Sequence, residues 1–303
     1  MKPVTVLTPA GPLFLRLNPS TPVHAAMIRD FAGNGYEPGT WQFLCDTVKP
    51  GMRCVDVGGH IGVMTGLLSL LVGKEGFVTA FEPHPHNRTL LLRTVRDNGF
   101  TNVKVKRQAV GKDCGIARLH WNADNDGGHA IYDVGKMPTN EKSRAKPKST
   151  ILEQCALDDV MDKPVDVIKM DIEGAEYHAL QGAERILRED RPVVVAEVNA
   201  PGLRAMGTCE NDWRTWMRSL GYREVALLDT GAVPIEADQT CSAVQMQDGK
   251  QVIPVWNIAF IPTTPRGQQT SDPALATQTS FGQSSPQAPS SPSAPLRGSS
   301  APA

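Results

Sequence analysis

Acids at the ends of apolar runs are the strongest chemical signal in this chain. Val167-Ile168-Lys169-Met170-Asp171-Ile172-Glu173-Gly174-Ala175-Glu176 passes from a strand-like stretch straight into carboxylates, and Val193–Val198 carries Glu197 near its end. Carboxylates at the tips of buried strands stand where open α/β sheets bind ligands. There, a positioned base typically contributes about 10²- to 10⁴-fold by taking a proton from a poor nucleophile such as a hydroxyl. Asp171, Glu173 and Glu197 are the candidate catalytic residues. Glu176 reads as a first-turn helix acid, and Lys169 as the ion-pair partner of a nearby acid. Converging carboxylates also suit a hard divalent cation bound through oxygen, and Asp171, Glu197 and Asn199 form that alternative set.

Beside the acids, the sequence describes a nucleoside site. Asp56-x-Gly58-x-x-x-Gly62 lies between a strand-like run and an apolar helix, and its glycines permit a tight turn with close ligand approach. Glu82 ends the next strand, where a carboxylate can accept both hydroxyls of a ribose. A nicotinamide cofactor fits these two features less well, because the turn is not G-x-G-x-x-G and lacks the setting for a pyrophosphate. A nucleoside without phosphates, such as S-adenosylmethionine, fits better. His84 and His86 follow Glu82 and are candidates for the adenine pocket, and His129 is a candidate base or substrate contact.

The elements that must position these groups alternate. Arg53–Val57, Phe77–Phe81, Val103–Arg107, Val165–Met170 and Val193–Val198 read as core strands. Helices are expected over Ile61–Val72, Pro85–Asn98, Ala175–Arg188 and Asp212–Leu220. The alternation predicts an α/β fold, a mostly parallel sheet with helices on both faces. Arg223–Leu228 and Val255–Ile261 have no helix between them, which predicts an antiparallel edge. Ile116–Trp121 reads as an added edge strand. Residues 1–50 form a lead-in with a hairpin and helices, 51–262 the main domain, and 122–150 a polar insertion near the site. The insertion's basic run, Lys142 to Lys148, reads as a solvated loop or as a clamp for a phosphorylated sugar. Residues 263–303 are rich in Pro, Ser, Ala and Gln, a composition that predicts a disordered tail.

With these motifs in hand, the chain resembles the FkbM family of S-adenosylmethionine-dependent methyltransferases. The resemblance rests on Gly35-Tyr36-Glu37, Val55-Asp56-Val57-Gly58-Gly59-His60-Ile61-Gly62 and Phe81-Glu82-Pro83-His84-Pro85-His86-Asn87. It continues through Leu157-Asp158, the Lys169–Glu176 run, Leu180-Gln181-Gly182-Ala183, and Arg191-Pro192 leading to Glu197. It implies a class I methyltransferase (Rossmann-like) fold and O-methylation of a saccharide or glycoconjugate hydroxyl. The cofactor residues would be Glu37, Asp56, Gly58, Gly59, His60, Gly62, Glu82, Pro83 and Ala109. His60 departs from the family's usual Gly-Ala-Asn-x-Gly turn. A polyketide, peptide or other small-metabolite acceptor is the alternative, and a non-catalytic cofactor-binding scaffold is the alternative of another class.

Composition bounds the rest. Lys and Arg number 31 against 32 Asp and Glu, which offers no argument for a nucleic-acid or membrane-surface partner. The six cysteines are spread without a C-x-x-C pair, so free thiols in a reducing, cytoplasmic setting are expected. The start of the chain lacks the pattern of a signal peptide. The expected partner is a small-molecule or glycan acceptor.

Overall fold

Short strands rich in Val, Ile and Ala, each followed by an amphipathic run, build the central sheet. The computed structural model describes residues 1–235, 245–247, 250–252 and 256–267. An antiparallel hairpin, β1 (Lys2–Thr8) and β2 (Gly11–Leu17), leads into helices α1 (Pro22–Ala32) and α2 (Pro38–Thr47). On β2 every second residue is buried, and Leu13, Leu15 and Leu17 pack with Met27, Ile61 and Val63. The hairpin is thereby fastened beside the glycine turn.

The chain then winds β3 (Arg53–Val57), α3 (Val63–Val72), β4 (Phe77–Phe81), α4 (Pro85–Asp97) and β5 (Val103–Lys106). Three strands, β6 (Ala109–Val110), β7 (Gly115–His120) and β8 (Ser149–Cys155), form a separate small sheet in the order β6-β8-β7. Between β7 and β8 lie a 3₁₀ turn at Val134–Lys136 and helix α5 (Glu141–Ala145). After α6 (Leu157–Val160) come β9 (Val167–Met170), α7 (Glu176–Gln181), α8 (Glu184–Glu189), β10 (Val193–Val198), α9 (Ala200–Ala205) and α10 (Glu210–Ser219). The last elements are β11 (Tyr222–Leu228), β12 (Gly231–Pro234), the short pair β13 (Gln245–Gln247) and β14 (Lys250–Val252), and β15 (Trp256–Pro262).

The eight-stranded sheet has the order β12-β11-β15-β10-β9-β3-β4-β5. Strands β5, β4, β3, β9 and β10 are parallel, and β15, β11 and β12 add antiparallel pairs. The parallel strands are covered on both faces, which is why β9 is buried at all four positions. One core packs Val55, Val57, Ile168 and Met170 against α7, α8 and α10. The other packs Cys54, Val78, Val167 and Val195 against α2 and α3. The chain reverses direction between β3 and β9, so the crevice of a doubly wound sheet opens above those two strand ends. Among the described residues no helix is long and apolar enough to cross a membrane.

Two sequence expectations are corrected. Residues 116–121 do not add an edge to the main sheet. They pair with Ser149–Cys155, a strand hidden at the end of the polar insertion because its exposed face mixes Ile151 with Ser149 and Glu153 and only Cys155 is fully buried. The single helix expected over 175–188 is two helices. At Gly182 the Gly111 carbonyl oxygen lies 2.2 Å from where a Cβ would stand, so the backbone turns there against another segment. The antiparallel edge is as expected, with β11 and β15 pairing antiparallel, and β12 extends it as the outermost strand. Of the tail expected at 263–303, residues 268–303 lie outside the described residues.

Candidate active site

The end of β3 presses on the end of β9, and this fixes the glycine turn. Gly58 has φ 85°, and a Cβ there would stand 1.9 Å from the Asp171 carbonyl oxygen. Only glycine meets both demands. The Gly58 and Gly59 N–H groups both donate to the Phe81 carbonyl, at 2.9 and 3.0 Å. Glu82 completes the corner. Its Oε2 accepts the His60 N–H and its Oε1 the His84 N–H, each at 2.8 Å. Burial nevertheless pushes this carboxyl up to about 8, against those two bonds.

A cavity of about 220 Å³ opens here. On its sheet side stand Glu37, Lys169, Asp171, Glu173 and Glu197. Lys169 is 4 % exposed, and its Nζ lies 3.2 Å from Asp171 Oδ2. Burial alone would lower this ammonium, but the Asp171, Asp56 and Glu37 carboxylates outweigh it and hold it charged. Glu173 sits at φ 59°, and its Oε2 accepts the Asn199 amide N–H at 2.7 Å. Burial, then the charges of Asp171 and Glu176, pushes it up to about 8. Glu197 is driven well above the ordinary range by burial and then by Asp171 and Glu173, and its Oε2 has no partner among the described residues. Oxygens of Asp171, Glu173 and Glu197 all lie within 4.8 Å of one another. Glu37, at φ 44°, accepts the Asn257 side-chain N–H at 3.1 Å, and burial raises its pKa. The loops carrying these acids are held by close backbone contact: a Cβ on Gly174 would lie 2.2 Å from the Gly202 carbonyl carbon.

Among the described residues four non-glycine residues have left-handed backbone, and three of them, Glu37, His60 and Glu173, line this one cavity. Such conformations cost of order 1–3 kcal/mol each and concentrate at sites of function.

The opposite side belongs to α1, α4 and the insertion, with Val23, Met27, Asn87, Asn125, Gly127 and His129. Burial pushes the imidazoles of His60 and His129 down to about 3 and that of His84 to about 4, so all three are neutral at ordinary pH. The His84 and His129 rings stack with centroids 3.8 Å apart.

Every expected site residue now has a place. Asp171, Glu173, Glu197, Glu37, Gly58, Gly59, His60, Glu82 and Pro83 line the cavity. Asp56, Gly62 and Ala109 do not. Asp56 is wholly buried beneath the turn, where its Oδ2 accepts the Thr65 hydroxyl; it braces the turn from below. Gly62, at φ 89°, packs on Leu91 and Thr94. Ala109 is buried in the small sheet, and His84 and His86 likewise stand off the lining. Glu176 is fully buried and accepts the Ile172 N–H at 2.9 Å, tying down the loop that carries Glu173. Sequence reasoning missed Asn87, Asn125 and the α1 residues. Asn87 alone carried a signal, as the last residue of the Glu82-Pro83-x-Pro85-x-Asn87 run.

The metal set fits poorly. Asn199 Oδ1 is engaged by the Gly202 N–H at 2.9 Å, and Asp171 Oδ2 is already taken up by the Lys169 ammonium at 3.2 Å, so two of the three proposed ligands are committed elsewhere. His24, His60 and Asp126 also bring ligand-type atoms within 4.8 Å. However, His24 Nδ1 accepts the Asn18 N–H at 2.9 Å, which leaves the ring proton on Nε2 and aims an N–H at the centre instead of a lone pair.

The residues do fit S-adenosylmethionine. The glycine turn gives close approach, Glu82 faces the cavity beside it, and unspent carboxylate oxygens suit a sulfonium and an ammonium. A doubly wound sheet with this crevice at its reversal point is the plan of the class I S-adenosylmethionine-dependent methyltransferases. The chain belongs to the FkbM methyltransferase family, whose domain model matches residues 56–224. Among solved structures it is similar to the FkbM methyltransferase of Methylobacillus flagellatus KT, at 16% identity over 81% of this chain and 56% of that one, with a TM-score of 0.43. A SAM-dependent O-methyltransferase from Thermotoga maritima is similar at 14% identity, over 76% of this chain and 67% of that one, with a TM-score of 0.39. The curated protein-L-isoaspartate O-methyltransferase 2 of Arabidopsis thaliana is 28% identical over 108 residues, which is 35% of each chain. The match thus spans about a third of that relative's length.

Proposed function

We propose that this chain methylates a hydroxyl of a saccharide or glycoconjugate. The observation that carries the reading is the gathering of Asp171, Glu173 and Glu197 within 4.8 Å beside the Glu82 corner. S-adenosylmethionine, when bound, supplies an activated methyl group. Glu82 accepts the ribose hydroxyls. Lys169 holds the Asp171 carboxyl in place at the tip of β9, 3.2 Å away. Glu173, held at Oε2 by Asn199, takes the proton from the acceptor hydroxyl, and its position near pH 8 matches a base working close to neutrality. Positioning the acceptor adds to this, because orientation can contribute on the order of 7–11 kcal/mol. The acids at the strand ends, several with oxygens free to bond hydroxyls, support an acceptor with several hydroxyls.

The test is transfer of labelled methyl from S-adenosylmethionine into host extract fractionated by chemical class. Label is expected in polysaccharide or glycolipid. Label confined to protein, nucleic acid or small metabolites would overturn the acceptor class, and binding without transfer would favour a scaffold. Because the metal sets fit poorly, excess chelator is expected to leave the transfer rate within twofold.

A further inference from the structure

Beside Glu82 the cavity has a wall away from the acids, formed by Pro83 after β4, Asn87 on α4, Leu119 on β7, and Asn125, Gly127 and His129 of the insertion. Asn87 is 3 % exposed. Its Nδ2 donates to the Asp126 carbonyl at 2.8 Å, which fixes the amide and leaves Oδ1 buried without a partner among the described residues. His129 Nδ1 accepts the Asn122 N–H at 2.9 Å. A neutral imidazole has one ring proton, so that bond assigns it to Nε2, which is likewise buried and unpartnered. The wall therefore shows one unspent acceptor and one unspent donor, each locked by a main-chain group. Buried polar atoms are normally satisfied, so this pair is set for a ligand of complementary pattern.

We propose, resting on the cofactor reading above, that Asn87 and His129 read the adenine of the cofactor. With the ribose at Glu82 and the sulfonium toward the acids, the base is the part of the ligand left for this wall. Its 6-amino group donates to Asn87 Oδ1, and the ring nitrogen beside it accepts from His129 Nε2–H. Adenine carries this donor-beside-acceptor pattern. Hypoxanthine replaces the amino donor with an oxygen, which would face Asn87 Oδ1 acceptor to acceptor. A site built to bond a donor rejects an analogue that lacks it far more strongly than an apolar pocket rejects a change of shape.

The experiment is calorimetric binding of S-adenosylhomocysteine and S-inosylhomocysteine, which differ at that position and share the ribose and amino-acid tail. The inosyl compound is expected to bind about 10²-fold more weakly. Asn87→Ala should bring the two within about threefold, and His129→Phe should weaken the adenosyl compound about tenfold at a temperature where the variant is fully folded. If Asn87→Ala does not fold, the wild-type ratio and His129→Phe still decide. Equal binding of both compounds to the wild type would overturn the base reading and leave the cofactor reading standing. Binding of neither would overturn both.

Discussion

On the sheet side of the cavity, burial pushes Glu173 to about 8 and raises Glu197 well above the ordinary carboxyl range; on the opposite side it pushes His60 and His129 to about 3. The shifts run in opposite directions and have one cause, the cost of holding a charge away from water. Both walls tend toward neutrality, by protonation on one and deprotonation on the other. The Lys169 ammonium is the exception, held charged by the carboxyl groups around it. The two walls are thus prepared for different parts of a ligand. The sheet side can surrender protons when a cation arrives, whereas the insertion side offers fixed, uncharged hydrogen bonds.

The sharpest way to break this contrast is to disarm the sheet side. Glu173→Gln is expected to lower kcat about 10²- to 10⁴-fold while S-adenosylhomocysteine affinity stays within a few-fold. In the wild type, kcat/KM should climb with pH and level off above about 8, as the Glu173 carboxyl loses its proton. A flat profile from pH 6 to 9 would remove Glu173 from the role of base. Next in size, Glu82→Gln should weaken S-adenosylhomocysteine about 10- to 100-fold in a binding titration, because an amide puts an NH₂ where one of the two accepting oxygens stood, and a buried polar group left unsatisfied costs about 1–3 kcal/mol. An unchanged affinity would place the ribose elsewhere.

The third prediction concerns the free protein's stability. A carboxyl whose folded pKa is raised stabilises the fold fully below its ordinary value of 4.5 and loses that contribution as pH climbs through the folded value, here about 7 to 8 for Glu82, Glu173 and Glu176. The lowered histidines act oppositely, destabilising only as pH falls below 6.5. Between pH 6.5 and 8.5 the carboxyls act alone, so Tm should fall by roughly 5 °C. Saturating S-adenosylhomocysteine should shrink that fall; a Tm that rises over this window would contradict the assigned shifts. The smallest effect expected is from His60→Asn. Asparagine tolerates the left-handed backbone better, so Tm should rise by roughly 2–4 °C in a melting scan. A drop would mean the imidazole is held by more than its backbone.

The sheet side was far more legible in the sequence than the insertion side. An apolar run that ends in acids reveals a strand tip by itself, so Asp171, Glu173, Glu82 and the glycine turn could be placed from local pattern. Asp56 was misplaced, because an acid one residue from a strand end looks the same whether it faces the cavity or the core. The insertion wall depends on long-range contacts. Asn87 meets Asp126, and His129 is oriented by a loop backbone, which no periodicity records. Strand β8 hid for a similar reason: Ile151 and Glu153 both face outward, so its polar and apolar residues do not sort by face. The break at Gly182 is set by a carbonyl about 70 residues away in the chain.

The contact of Gly174 with Gly202 has a consequence for how this enzyme can change. Neither residue has a side chain to offer, yet their backbones touch and so set the gap between Glu173 and the Asn199 that steadies it. The two glycines act as a spacer gauge for the reactive groups. A single methyl at either one would pry the loops apart. Reactivity in descendants of this sequence can therefore be retuned, or lost, by substitutions that leave every acid in place.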